Sequence, residues 1–223
     1  MPSASLPPIR HAVVLAHPDP RSFNAAIAQT YCKAVEAAGQ QAILRDLYAM
    51  NFDPVLKAQE RPGRGDFRLS PDVQAELAIM RGANVITFVY PVWFGMPPAI
   101  LVGYIDRVLG AGTTVGQVQH GIGQGLLDKG HLCAITTSGA PQEWLEAQGQ
   151  TQALRELAGT YLFRAFAMHS AEALHIGNVV EGATASFIED NLSRVRQRAA
   201  SICARLAEEL HGIPLPPQPG DGS

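Results

Sequence analysis

Three segments with polar or aromatic residues each follow a stretch of sequence that is typical of a buried strand. They are His17–Asn24, Pro91–Pro98 and Thr136–Glu143. In an open parallel sheet, ligands bind outside the carboxyl ends of the strands, so these segments are expected to meet at one edge. The sequence therefore predicts one ligand site built from three loops.

The first segment, HPDPRSFN, enters a predicted helix through Ser22. Free amides at a helix start, the positive end of the helix dipole and a capping hydroxyl together suit a phosphate group. The segment lacks GxGxxG and GxxxxGKS/T, which disfavours a nicotinamide Rossmann site and a P-loop. An ordinary capped strand-to-helix turn is the alternative interpretation.

The other two segments add flat and polar surfaces. PVWFGMPP places Trp93 and Phe94 directly after the most apolar predicted strand, where water would favour polar residues. Flat apolar groups at this point indicate a planar ligand, or else rings that only close the end of the sheet. TTSGAPQEW offers two hydroxyls, a glycine that permits close backbone approach, and Trp144 beyond it. By itself this third segment is a common turn.

Short β-branched runs alternate with longer stretches of helical period, which predicts an α/β fold with a five-stranded parallel sheet wrapped on both faces. The predicted strands are 12–16, 42–45, 85–90, 132–137 and 171–176. The predicted helices are 22–39, 70–81, 98–109, 143–166 and 188–210, and a long loop is predicted over 49–71.

The predicted domain organisation is simple. Residues 1–10 and 212–223 are rich in Pro, Ser or Gly and are expected to be tails around one domain, 11–211. Residues 110–130 contain seven glycines and are interpreted as an inserted loop. A loop of that length usually covers a site or a partner surface.

Composition excludes several classes of protein. The formal charge is −3 and basic residues are scattered, so nucleic acid is not expected as a partner. Cys32, Cys133 and Cys203 form no CxxC pair, which argues against a disulfide framework and a metal site. No apolar run is long enough for a membrane span, and no signal peptide is visible, so the cytoplasm is the expected location.

The combined segments resemble the NAD(P)H:quinone oxidoreductase family of flavodoxin-like flavoproteins. The matching stretches are VVLAHPDPRSFN at 13–24, DLYAMNFDPVL at 46–56, LSPDVQAEL at 69–77, YPVWFGMPPAIL with GYIDRV at 90–108, and ITTSG at 135–139. The resemblance implies a five-stranded flavodoxin-like sheet that binds FAD or FMN. It also implies a homodimer with active sites at the subunit interface.

The resemblance also implies roles for particular residues. The flavin phosphates and ribityl chain would be held by His17, Ser22, Phe23 and Asn24. The ring would be lined by Pro91, Val92, Trp93 and Phe94, and its polar edge would be contacted by Thr136, Thr137, Ser138 and Gly139.

The chain departs from the family pattern directly after the ITTSG stretch at 135–139. Relatives of the animal enzymes carry a Tyr and a His there, whereas this chain reads APQEWLEAQG over 140–149, and Val102 replaces a common Lys. Other groups must then donate hydrogen bonds to the edge of the flavin ring where negative charge develops on reduction. The candidates are backbone amides at Ser138 and Gly139, and the side chains of Gln142 and Trp144.

The expected activity is two-electron hydride transfer from NADPH or NADH to a quinone-like acceptor by a ping-pong cycle, with FAD preferred to FMN. The alternatives are a flavodoxin-type electron carrier and a flavin-binding regulatory subunit of a membrane transport system. His120 and His131 flank the glycine-rich segment and could meet substrate, although exposed or structural roles are favoured. His169 and His175 are expected to satisfy local hydrogen bonds around the fifth strand.

Overall fold

Five parallel strands form one sheet in the computed structural model, which describes residues 6–120 and 130–212. The strand order is β2-β1-β3-β4-β5, which confirms the predicted flavodoxin-like α/β class. The strands are β1 Arg10–Leu15, β2 Gln41–Asp46, β3 Val85–Pro91, β4 His131–Thr137 and β5 Ser170–Ile176.

Helices follow the strands and cover both faces of the sheet. They are α1 Phe23–Ala37, α2 Pro71–Arg81, α3 Ala99–Tyr104, α4 Val115–His120, α5 Gln142–Ala147, α6 Gln150–Arg155, α7 Leu162–Ala165 and α8 Ala185–His211. Two stretches have π-helical hydrogen bonding: Ile105–Leu109 directly continues α3, and Glu156–Tyr161 joins α6 to α7.

Every residue of β3 is buried, because helices pack on both of its faces. Ile86 and Phe88 belong to the core on the side of α2, α3 and α7. Val85 and Val89 belong to the core on the side of α1 and α8. A central strand covered in this way contains a continuous run of apolar residues, so its position can be predicted directly from the sequence.

The loop predicted over 49–71 contains only a short 3-10 turn, Ala58–Glu60, and is fixed largely by one side chain. Arg107 is fully buried in the π-helical stretch after α3, and its five N–H donors all find acceptors. Two bonds reach the Glu60 carboxylate, two reach Asp72, and one reaches the Asp53 carbonyl. Arg107 therefore holds the middle of the loop, the first turn of α2 and the segment before Pro54 together.

Three predicted boundaries differ from the structure. The stretch predicted as helix over 143–166 is interrupted at Gly149, which adopts a left-handed conformation with φ of 70°. The predicted loop 110–130 contains helix α4, and residues 121–129 lie outside the described part of the chain. β1 begins at Arg10 and Ile9 is buried, so the N-terminal tail ends earlier than predicted, whereas residues 1–5 and 213–223 are not described.

Candidate active site

The three loops predicted to form a site are neighbours at the carboxyl edge of the sheet, because β1, β3 and β4 are adjacent strands. The rings of His17 and Trp93 meet edge to face with centroids 5.7 Å apart, which joins the first loop to the second. The Val92 amide donates to the Thr137 carbonyl at 2.7 Å, which joins the second loop to the third. The predicted convergence is therefore present.

The start of α1 is an open helix N-terminus. Ser22 caps the helix by accepting from the Ala25 amide at 3.1 Å, and the Asp19 carbonyl accepts from the Ser22 amide at 3.1 Å. Within the described residues, the amides of Phe23 and Asn24 have no acceptor, which leaves them free for an anion. Burial lowers the pKa of His17 beside this turn, so its imidazole is neutral at pH 7.

The side chains of two residues that are predicted to contact the cofactor also make internal contacts. Asn24 is buried, and its Nδ2 donates to Thr137 Oγ1 at 2.9 Å. The Phe23 ring packs against Phe187 of α8, with centroids 6.4 Å apart. Phe23 thus offers the site its backbone amide, while Asn24 and Thr137 bind each other and fix the spacing of two loops.

The second loop is a tight turn that exposes an aromatic ring. Trp93 and Met96 exchange two backbone hydrogen bonds of 3.0 Å, and the residues between them, Phe94 and Gly95, have φ of 51° and 78°. Positive φ at both central positions defines a type I′ turn, in which a bulky residue such as Phe94 is strained. Gln150 of α6 donates to the Gly95 carbonyl at 2.6 Å and holds the turn. The Phe94 side chain is fully exposed at the rim of the site.

The third loop is positioned by His175 of β5. Thr136 Oγ1 lies 2.8 Å from His175 Nδ1, and Ser138 Oγ lies 3.0 Å from His175 Nε2 while donating to the Ala140 carbonyl at 2.8 Å. Since the Ser138 proton is used on Ala140, the Ser138 oxygen accepts from His175 Nε2, and in the neutral imidazole Nδ1 then accepts from the Thr136 hydroxyl. Burial, followed by the charge of Arg194, lowers the pKa of His175 and favours that form. The predicted local hydrogen-bonding role of His175 is confirmed.

A cavity of about 390 Å³ opens between the second and third loops. Its walls are formed by Val92, Phe94, Gly95, Ser138, Gly139, Ala140, Trp144, Leu145, Gln148 and Gln150. It therefore brings together aromatic side chains and the exposed backbone of a glycine. This is the arrangement that the sequence predicts for a planar ligand with a polar edge.

The remaining predicted residues divide between this cavity and other positions. Trp144 lines the cavity and is 56% exposed, whereas Gln142 donates to Glu146 at 2.8 Å and lines a neighbouring cavity. Thr136 also lines that neighbouring cavity, where its hydroxyl meets His175. Pro91 is buried at the end of β3.

Sequence reasoning missed Gln148 and Gln150. Both approach the cavity because the chain turns back after α5 at Gly149. A glycine within a predicted helix is the signal that could have indicated this turn.

His131 lies at the amino-terminal end of β4, which is the opposite edge of the sheet from the three loops. It is buried, beside His169 and 3.2 Å from Glu209. A substrate at the carboxyl edge therefore does not meet His131. The side chain of His120 is not described.

No helix within 6–120 and 130–212 is both long and apolar enough to cross a membrane. In the same ranges, no group of three or more His, Cys, Asp or Glu side chains is arranged to hold a metal ion.

Known proteins share this fold and are similar to part of this sequence. Residues 10–199 match the model of a family described by a flavodoxin-like fold. An uncharacterized NAD(P)H oxidoreductase of Haemophilus influenzae is 31% identical over 172 residues, which cover 77% of this chain and 85% of that protein. NAD(P)H dehydrogenase (quinone) 1 of Rattus norvegicus is 36% identical over 121 residues, which span 46% of this chain and 44% of that enzyme, less than half its length. The structure of an NAD(P)H:quinone oxidoreductase from Methanothermobacter marburgensis superposes with a TM-score of 0.75 at 24% identity, covering 88% of this chain and 98% of that one.

Proposed function

Because this chain belongs to the family with the flavodoxin-like fold, we propose that it is a flavin-dependent NAD(P)H oxidoreductase that reduces quinone-like acceptors. The observation that carries the proposal is the cavity of about 390 Å³ between the loops that follow β3 and β4. Small-molecule sites typically measure about 300 to 1,000 Å³ and combine apolar walls with a few polar groups. The Haemophilus and rat relatives, whose names describe NAD(P)H oxidation, support the same activity.

The residues present fit a flavin. The open start of α1 would hold a phosphate through the amides of Phe23 and Asn24 and the Ser22 cap. Phe94, which lines the cavity, would lie against the ring beside an edge lined by Gly139. Trp93, which is outside the cavity lining and contacts His17, would extend the aromatic surface toward the start of α1. FAD and FMN share the ring and the first phosphate, so this site would suit either. We place FAD first because the sequence resembles the longer, FAD-binding members of the family.

In this proposal the protein groups bind and orient the flavin and its substrates. When bound, a flavin supplies hydride transfer between the nicotinamide and the quinone. The Ser138 amide, which the sequence predicts for the polar edge of the ring, instead donates to the Ile176 carbonyl at 3.0 Å. The backbone amides at Gly139 and Ala140 and the indole N–H of Trp144 would therefore donate the hydrogen bonds to that edge. His175 would act as a positioning residue, because its bond to Ser138 sets the course of this loop. We propose a ping-pong order, since both substrates would use one cavity in turn.

We also propose that the protein acts as a homodimer. Several apolar side chains on the second loop and on the helix that follows it are exposed, among them Phe94, Met96 and Val102. Gly103 of α3 packs directly on Pro54, and the residues next to each in sequence, Val102 and Val55, are exposed. A second copy related by two-fold symmetry would cover this apolar surface and complete two identical sites.

The test begins with purified protein. We expect it to be yellow and to release one flavin per chain, with a mass that identifies FAD or FMN. Anaerobic mixing with NADPH or NADH should bleach the flavin absorbance, and 1,4-benzoquinone should restore it. Initial-rate plots at several quinone concentrations should be parallel.

Two outcomes would count against the proposal. Protein that stays colourless and does not quench the fluorescence of added FAD or FMN at micromolar concentration would exclude a flavin enzyme. A bound flavin that neither NADPH nor NADH reduces would favour the electron carrier, which depends on a separate reductase.

A further inference from the structure

A second cavity of about 490 Å³ lies between the sheet and the segment that runs from α5 to Tyr161. One wall is the sheet, where Ala134 of β4 and Ala173 of β5 are paired and face the same side. Leu145 of α5 and Leu154 of α6 form part of the opposite wall. The two alanines are too small to fill the space between these layers, which leaves an apolar interior.

The rim of this cavity carries an excess of positive charge. Arg155, Arg194 and Arg198 all line it, together with a single carboxylate, Glu172. Arg198 donates to Glu172 at 2.8 Å, and Arg205 also binds this carboxylate, so its charge is already compensated. Arg155 forms no ion pair with an acidic residue in the described part of the chain.

Uncharged polar groups extend the lining toward the carboxyl edge of the sheet. Thr136, Gln142 and the neutral imidazole of His175 all contribute. The cavity thus has an apolar floor, a few neutral polar groups and a cationic rim. These features together favour a ligand that is apolar at one end and negatively charged at the other.

We propose that this cavity binds a small organic anion in which a carboxylate is attached to an apolar ring or chain. The apolar body would lie against Ala134, Ala173 and Leu154. The carboxylate would pair with the guanidinium of Arg155, whose planar donors match the two oxygens of a carboxylate. Arg194 would add long-range attraction.

The site is separate from the proposed flavin cavity but adjoins it. Leu145 lines both cavities, whereas Phe94 and Trp144 line only the first. His175 lines the second cavity and hydrogen bonds Ser138 in the wall of the first. An anion in the second cavity would therefore lie beside the residue that positions the wall of the first.

Calorimetric titration of the purified full chain with benzoate tests the proposal, with benzamide as a neutral ligand of similar shape. We expect saturable benzoate binding and at least about tenfold weaker benzamide binding, the scale for one charge-assisted hydrogen-bonded pair. Arg155→Gln should weaken the binding of benzoate by a similar factor. Ala173→Phe should abolish benzoate binding, because the larger side chain fills the cavity. Arg164→Gln, at an exposed arginine of α7 outside this lining, is the matched control and should bind normally.

A second measurement keeps the proposal testable if Ala173→Phe does not fold. Benzoate should raise the pKa of His175, followed by NMR, because it offsets the charge of Arg194 that lowers this pKa. Equal binding of benzamide, unchanged benzoate affinity in Arg155→Gln, or an unchanged His175 pKa would overturn the proposal. None of these results depends on flavin binding, so failure here is distinguishable from failure of the proposed function.

Discussion

Asn24 and Thr137 are hydrogen bonded across 113 positions of sequence, with Asn24 Nδ2 donating to Thr137 Oγ1 at 2.9 Å. Both side chains are buried, so the bond joins the start of α1 to the end of β4 away from water. This pair sets the spacing between the loop proposed to hold a phosphate and the loop proposed to meet the ring edge.

Asn24→Ala should therefore lower the free energy of unfolding by about 1 to 3 kcal/mol, because it leaves a buried hydroxyl without its partner. Flavin affinity should fall as well, since the two loops lose their fixed spacing. Urea denaturation and flavin fluorescence titration measure the two effects. Gln29→Ala, at an exposed position of α1, should change neither. Unchanged flavin affinity in a destabilised Asn24→Ala variant would reject the positioning role of the pair.

The Phe94→Asn variant separates two effects of Phe94: the backbone strain of its left-handed conformation, and the proposed contact of its ring with the flavin. Asn tolerates a φ of 51° better than Phe, so thermal stability should stay the same or rise, by up to about 1 kcal/mol. Flavin binding and quinone reduction should nevertheless weaken, because the exposed ring is lost. A less stable variant with full affinity for flavin would contradict both expectations.

Trp144→Phe tests the indole N–H as a donor to the ring edge. We expect a loss of up to ~10²-fold in quinone reduction, the scale for removing one such donor. Gln142→Ala is the matched control among the predicted catalytic groups, because Gln142 already binds Glu146 and lines the other cavity. Stopped-flow rates of flavin reduction and reoxidation would locate the step affected. Equal rates for Trp144→Phe and the unmodified protein would exclude the indole as that donor.

Acid should destabilise the fold through Glu60. Its hydrogen bonds to Arg107 lower its pKa from 4.5 to about 2 in the folded chain. The unfolded chain binds the proton first, so the free energy of unfolding should fall as the pH drops from about 5 to about 2. Urea denaturation across this range should show a smaller fall for Glu60→Gln, which should also be less stable at pH 7 because Arg107 loses its paired charge. Glu36→Gln, at an exposed position of α1, should follow the unmodified protein at every pH.

Val102→Glu places a charge on the exposed apolar surface of α3 that is proposed to meet a second copy. The variant should dissociate at concentrations where the unmodified protein is a dimer, and its activity should fall with the dimer fraction. Light scattering and activity across a dilution series make the comparison. Leu210→Glu, which changes an exposed apolar residue near the end of α8, is the control. Fully active monomers would refute the shared site.

Local signals predicted the fold well. The strand at 85–90 is recognisable because both of its faces are buried, and α2 because Pro71 begins it and Gly82 follows its end. The approach of three loops follows from the topology that these elements imply.

Contacts between distant positions could not be predicted in the same way. Nothing at position 24 indicates a partner at 137, so the sequence does not predict the buried bond between Asn24 and Thr137. The type I′ turn at Phe94 also contradicts local preference, because a bulky residue occupies a left-handed conformation there. Such a turn is stable only where the surroundings hold it, as Gln150 does here.

The hydrogen bonds of Arg107 determine where the loop before α2 can accept insertions and deletions. Its bonds fix the loop at Asp53 and Glu60 and fix α2 at Asp72, while the stretch 63–68 between these anchors is exposed throughout. Because closing a slightly longer flexible loop costs little extra entropy, insertions or deletions within this stretch leave its anchored ends in place. A change of length within 63–68 is therefore expected to alter only a surface segment and to leave the geometry at α3 unchanged.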